Sequence, residues 1–297
     1  DINFPTIDPK HPYALSKDEE EIMSRLESAF LNCEKLQDHM RFLLNKGGLY
    51  KVYNGNLLYH GCVPLKEDGT LKSVRLYGRS YKGKSLYEVL ESYVRKGFYA
   101  LNKKEKERGK DMMWYIWLSE NSPLFGKDKM ATFERYFLAE KETHKEKKNP
   151  YYNLLENEKV INMILKEFGL TEESAHIING HVPVKAITGE SPIKCNGKVL
   201  VIDGGFSRAY QKQTGIAGYT LIYNSYGLIL AAHEPFESTE AAIEKESDIH
   251  SDSVVVKRVL ERKMVGDTDI GQELKEQIED LKMLLQAYRS GEITERM

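Results

Sequence analysis

A stretch patterned for helix, from about residue 84 to 170, lies between two stretches patterned for β-strand, and this interruption does most to limit what the chain can fold into. Strand segments this far apart must be brought into one sheet around the helical insertion, which points to a mixed α/β chain. The first β-patterned stretch, KVYNGNLLYHGCVPL from Lys51, carries Asn54-Gly55 between two short apolar runs, and that dipeptide suits the positive φ angles of a tight hairpin. The second comprises HIINGHVPVKAITGESP, KVLVIDGGFSRAY and GYTLIYNSYGLILAAHEPF, where branched and aromatic residues alternate with Gly, Asn and Ser turn signals.

The flanks read as helix. Pro5, Pro9 and Pro12 make the opening an extended connector. Ser16 with Glu19 then forms a capping-box signature, and apolar residues recur every three or four positions from Ile22 to Leu43, which predicts one helix stopped at Gly47-Gly48. A helical tail is expected over about 237–297, clearest where Leu274, Ile278, Leu281, Leu285 and Tyr288 share a face.

Bulk properties exclude several classes. The 43 Lys and Arg nearly balance 45 Asp and Glu, and no basic track interleaved with aromatics marks a nucleic-acid surface. Cys33, Cys62 and Cys195 have no CxxC spacing, so neither a disulfide framework nor a zinc ribbon is indicated and reduced, cytoplasmic thiols are expected. No apolar run reaches the roughly 18 residues of a membrane span, and the start has no signal pattern. A soluble protein with neither a nucleic-acid nor a membrane partner follows. The first residue is Asp rather than Met, which suggests a piece of something longer.

Two histidines stand at strand ends beside glycine: His60 in LLYHGC and His181 in IINGHVPV. A strand fixes the direction of the imidazole, and the adjacent glycine lets the backbone turn away so that a bulky group approaches closely. Neutral imidazole is a good ligand for Mn, Fe or Zn. A lone histidine of this kind is more often structural, so the pair carries the expectation. Cys62 reads as packing beside the site, His233 as a strand-end residue, and Asp203 as a loop anchor or acceptor for a metal-bound histidine. The aromatics Trp114, Tyr115, Trp117, Phe125, Phe133, Tyr136 and Phe137 read as buried helix packing.

The order HG, long helical insert, GH resembles the last two motifs of the calcineurin-like metallophosphoesterases. The strings LLYHGCVPL, WYIWLSENSPLFGKDKMATFERYF, INGHVPVKAITGESP and VLVIDGGFSRAYQKQTGIAGYTLIYNSYGL are similar to the class III fructose-1,6-bisphosphatases in particular. The resemblance spans nearly the whole chain. It implies half of a metallophosphoesterase-type β-sandwich flanked by helices, and hydrolysis of fructose 1,6-bisphosphate to fructose 6-phosphate in gluconeogenesis. It also implies a binuclear Mn²⁺ centre in which His60 and His181 ligate the second metal. The family's earlier DxH, GDxxDRG and GNHE-type motifs supply the other ligands and the proton donor, and none of the three is read in these 297 residues. An N-terminal portion of the same protein is therefore expected to carry them, and the isolated chain is expected to hold only part of the site.

A bisphosphate substrate needs cationic donors for its second phosphate. Candidates are Arg208, following the flexible Gly204-Gly205 pair, with Lys127, Arg135 and Lys185. Arg208 is the first choice because its planar fork matches phosphate oxygens. Two other readings stay open: a metallophosphatase acting on another phosphoester, and a non-catalytic assembly or partner-binding domain using the C-terminal Leu face. Whether the protein forms a homo-oligomer is also open.

Overall fold

Asn54 and Gly55 both adopt positive φ, 49° and 74°, and so close the hairpin that joins β1 (Tyr50–Tyr53) to β2 (Asn56–Tyr59) in the computed structural model. The structure describes residues 4–204, 207–236, 238–246, 251–259 and 261–294, with Arg208 and Ala209 described by backbone alone. The hairpin is preceded by α1 (Lys17–Leu31) and α2 (Glu34–Lys46), and followed by β3 (Val74–Leu76), β4 (Arg79–Tyr81), α3 (Gly83–Tyr99), α4 (Lys103–Leu118) and α5 (Thr132–Phe137). Then come α6 (Glu158–Glu167), β5 (His176–Asn179), β6 (Ile193–Lys194), β7 (Val199–Val201), α7 (Arg208–Thr214), β8 (Gly218–Asn224) and β9 (Gly227–His233). The described chain ends with α8 (Thr239–Glu244), β10 (Ser251–Arg258) and α9 (Asp269–Ser290).

Two compact units divide these elements. The first holds Asp1–Leu49 and Lys72–Asn149. Ser16 caps α1 as its capping box predicts: its hydroxyl accepts the Glu19 N–H at 3.4 Å, and the Glu19 carboxylate accepts the Ser16 N–H at 2.7 Å. The single helix expected from Ser16 to Gly47 is broken at Asn32-Cys33. Asn32 turns its side-chain amide onto the Ser28 hydroxyl, one of the local bonds by which Asn competes with helical backbone. Arg95 on α3 donates to the carbonyls of Leu44 and Gly47, satisfying the C-terminal end of α2.

The core of this unit joins Val74, Leu76, Leu86 and Leu90 to Met112 and Ile116 of α4. The aromatic cluster expected to be buried is mostly not: Trp114, Trp117, Phe133, Tyr136 and Phe137 are exposed, Tyr115 is half-buried, and only Phe125 is buried. The short α5, which carries Phe133, Tyr136 and Phe137, buries none of its side chains.

The second unit holds Tyr50–Leu71 and Pro150–Met297. Its five-stranded sheet has the order β1-β2-β5-β7-β6, with β2, β5 and β7 parallel and the outer strands antiparallel. All four residues of β5 are buried, as expected of a central parallel strand covered on both faces. A second, antiparallel sheet has the order β10-β9-β8. Ile178 and Leu200 of the first sheet and Leu228 of the second share one buried cluster, joined by Leu58, Leu221 and Val256. Removing a side chain such as Leu200 from water contributes roughly 1.5–3 kcal/mol.

The segment expected as one helical insertion over about 84–170 divides: α3 to α5 belong to the first unit and α6 to the second. The tail expected as helical from about 237 contains strand β10, where Val254 and Val255 pair with β9 and Val256 sits at a bulge before Lys257.

Candidate functional site

Parallel register sends three chains out of the sheet at one edge. On β2 and β5, Asn56 is opposite His176 and Leu58 opposite Ile178, so Tyr59 and Asn179 end their strands side by side. The ladder runs one step further, with the Gly180 N–H donating to the His60 carbonyl at 2.9 Å. On the other side Asn179 pairs with Val201, the Ile202 N–H donates to the Asn179 carbonyl at 2.9 Å, and Asp203 follows directly. His60, His181 and Asp203 are thus each delivered just past the C-terminal end of a parallel strand.

His60 Nε2 and His181 Nδ1 lie 2.9 Å apart, with the rings 4.8 Å between centroids and crossed at 70°. His181 reaches this position through a rare backbone turn. Its φ is +70°, and the Val182 N–H donates to the Gly180 carbonyl at 2.9 Å, so His181 is the central residue of a γ-turn of the strained hand. Asp203 packs beside Gly180: a Cβ built on Gly180 would meet the Asp203 side chain at 3.5 Å, an ordinary contact. Burial pushes the His60 pKa down, and the nearby Asp203 charge only partly opposes it. The imidazole is therefore neutral near pH 7, the form that binds cations.

The support behind these residues is buried. Asn179, 2% exposed, donates its side-chain amide to the Gly61 carbonyl at 3.0 Å and so ties the loop after His60 to β5. Tyr59 shares a 2.7 Å hydroxyl hydrogen bond with Tyr151. Cys62 is fully buried, and desolvation pushes its thiol up to about 12, so it is a packing residue and no nucleophile. At His233 both ring nitrogens are occupied, by Thr220 at 2.7 Å and Ser251 at 2.8 Å, which makes it a structural strand-end residue.

The cationic candidates separate. Lys127 and Arg135 lie in the first unit and share the Glu146 carboxylate at 2.8 and 3.3 Å. Burial pushes that carboxyl up, but hydrogen bonds from Lys127 and the Ala131 N–H outweigh it and hold Glu146 below the usual range. Lys185 is exposed in the second unit, four positions past His181, while its own backbone N–H donates to Glu190 at 2.9 Å. Arg208 opens α7, and its side chain lies outside the described residues.

The donor set fits one cation in part. The two imidazole nitrogens are at hydrogen-bond distance, 2.9 Å; bonds of about 2.0–2.1 Å to one shared ion would fit that spacing at an angle near 90°, and the tetrahedral angle would need roughly 0.4 Å more. Among the described residues, no group of three or more His, Cys, Asp or Glu side chains could hold a metal. The reading that no DxH occurs is corrected by the sequence itself: Asp248-Ile249-His250 is a literal DxH, and it lies outside the described residues. Asn179 and the γ-turn were missed by sequence reasoning; the Asn immediately before Gly180-His181 was the available signal.

Together the fold and the site define a mixed α/β protein with a two-histidine centre at the ends of parallel strands. The family model described as Firmicute fructose-1,6-bisphosphatase matches residues 1–290, and the chain belongs to that family. It is similar to the class 3 fructose-1,6-bisphosphatases of Alkaliphilus metalliredigens (strain QYMF), 58% identical, and Clostridium novyi (strain NT), 57% identical, each match covering 100% of this chain. A class 3 fructose-1,6-bisphosphatase of Clostridium beijerinckii is 55% identical. The chain spans 45% of the length of these relatives. No solved structure matches it.

Proposed function

We propose that the intact protein is a cytoplasmic phosphomonoesterase that converts fructose 1,6-bisphosphate to fructose 6-phosphate and phosphate, a gluconeogenic step, at a binuclear Mn²⁺ centre. The observation that carries this reading is the convergence of His60 and His181 to 2.9 Å, because a strained γ-turn is retained to achieve it. His60 and His181 would hold one cation. Bound cations at such a centre lower the pKa of a bound water and stabilise charge on the phosphoryl oxygens. The remaining ligands and the proton donor are assigned to the length of the relatives that this chain does not match. The two sheets, which share a core cluster, would form half of the metallophosphoesterase-type sandwich.

Lys185 is the favoured contact of this chain for the second phosphate, since it is exposed beyond His181 while Lys127 and Arg135 are already paired with Glu146. Arg208 remains a second candidate. The test is a substrate panel on the intact protein. Fructose 1,6-bisphosphate should give the highest kcat/KM among sugar, nucleotide and phosphoprotein esters, and His60→Ala or His181→Ala should each lower it by about 10²-fold or more. A faster nucleotide or phosphoprotein reaction would replace this reading with that of another phosphatase.

The exposed face of α9 supports a second reading, an assembly role. Leu274, Ile278 and Leu281 are each about half exposed or more along one side of the helix. Self-association that is lost in Leu281→Glu while hydrolysis persists would show assembly in addition to catalysis.

A further inference from the structure

Behind the two histidines, the parallel pairing of β2 with β5 stops one bond short of the loop that follows His60. Its last backbone bond is the Gly180 N–H on the His60 carbonyl, at 2.9 Å. Every second N–H of a strand faces the same neighbour, so the Val182 N–H would carry the ladder on. The γ-turn at His181 diverts that group, and the Val182 N–H donates instead to the Gly180 carbonyl at 2.9 Å.

The side chain of Asn179 takes over the pairing. Its carboxamide donates to the Gly61 carbonyl at 3.0 Å, so the successive carbonyls of His60 and Gly61 are held by Gly180 and Asn179, the two residues directly before His181. Toward β7, the Asn179 carbonyl accepts the Ile202 N–H at 2.9 Å, one residue before Asp203. Two points of attachment fix the direction of the chain at His60 as well as its position, which a single bond would not. The second point needs a side-chain donor, and Ile177 and Ile178 earlier in β5 have none.

Burial of this amide runs against stability. Asn179 is 2% exposed, and among the described residues its Oδ1 is buried with no hydrogen-bond partner. An apolar side chain would fill the strand position without leaving a desolvated oxygen unsatisfied. What the amide adds is the hold on Gly61.

We infer that Asn179 is a positioning residue: through the Gly61 carbonyl it holds the His60 imidazole at the 2.9 Å spacing from His181 at which both nitrogens face one cation. The inference rests on the cation reading of the two histidines and adds to it a residue that acts at one remove. Groups that orient metal ligands in this way typically govern metal affinity or activity by about 10–100-fold.

The test titrates Mn²⁺ into the intact protein after its metals are removed with chelator, following free Mn²⁺ by its aqueous electron paramagnetic resonance signal. Asn179→Ala, Asn179→Val and Asn179→Leu cover a range of sizes without a donor, and each should weaken binding by about tenfold or more. Leu228→Ala, which opens a cavity in the core cluster of the same unit, should lower the melting temperature while leaving the affinity within about twofold of the parent. His60→Ala is the reference for a lost ligand. If it leaves Mn²⁺ binding unchanged, the cation reading fails and this inference with it. If His60→Ala weakens binding while the Asn179 variants keep the parent affinity, or if Leu228→Ala weakens it as much as they do, the positioning role alone is overturned. It is likewise overturned if none of the three Asn179 variants folds, since Asn179 would then serve the sheet as a whole.

Discussion

At position 181 the chain keeps a histidine where glycine would be less strained. A γ-turn with φ of +70° costs of order 1–3 kcal/mol for a residue with a Cβ. His181→Gly is therefore expected to raise stability by about 1 kcal/mol in urea unfolding while abolishing hydrolysis, and a loss of stability would remove the case for stored strain. His176 sets a pH dependence. Its folded pKa of about 4 lies below the ordinary value near 6.5, so the unfolded chain takes up a proton first as pH falls. The stability this group confers is complete above about pH 6.5 and is lost progressively toward pH 4, on the order of 3 kcal/mol by linkage. His176→Phe should flatten that part of the stability profile, followed by denaturant midpoint against pH. Thiol chemistry is equally specific: a disulfide reagent at pH 8 should label exposed Cys33 promptly, and buried Cys62 and Cys195 only on unfolding. Sequence made His60 and His181 legible because an apolar strand ending beside glycine announces an aimed side chain. It could not show that Glu146 occupies Lys127 and Arg135, since partners 19 and 11 positions away are set by folding and not by spacing.

Helices α3 and α4 meet glycine to glycine. A Cβ built on Gly109 would lie 2.1 Å from the Gly97 nitrogen and 2.4 Å from its Cα, so the backbones touch. In an isolated helix Gly→Ala stabilises by about 1 kcal/mol, yet here overpacking by roughly 1–3 kcal/mol should win. Gly109→Ala should therefore lower the melting temperature, and an increase would show that the helices part without cost. The hairpin at Asn54-Gly55 and the capping box at Ser16 and Glu19 were readable because both are local: neighbouring residues satisfy each other's backbone groups. The break at Asn32-Cys33 and strand β10 were not. In the first case the apolar period continues across the break, and in the second the valine run gains its partner from β9, the preceding strand, across a connection that contains α8. A local side-chain bond interrupted the helical pattern in the first case and strand pairing overrode it in the second.

For the whole molecule, no helix among the described residues is long and apolar enough to cross a membrane. The α/β character was legible from the alternation of patterns, and the family from long strings in order. The division into two units was not, because the helical stretch over 84–170 is shared between them and nothing in its periodicity marks the border at residue 149. The chain spans 45% of the length of the relatives it matches. Two nitrogens from one parallel-strand edge are what this chain would contribute to the proposed centre. The direct measurement is pulsed electron paramagnetic resonance of the intact protein loaded with Mn²⁺. Nitrogen-14 couplings from two imidazoles of this chain are predicted, one disappearing in His60→Ala and another in His181→Ala, whereas identical couplings in the parent and both variants would contradict the shared-cation centre.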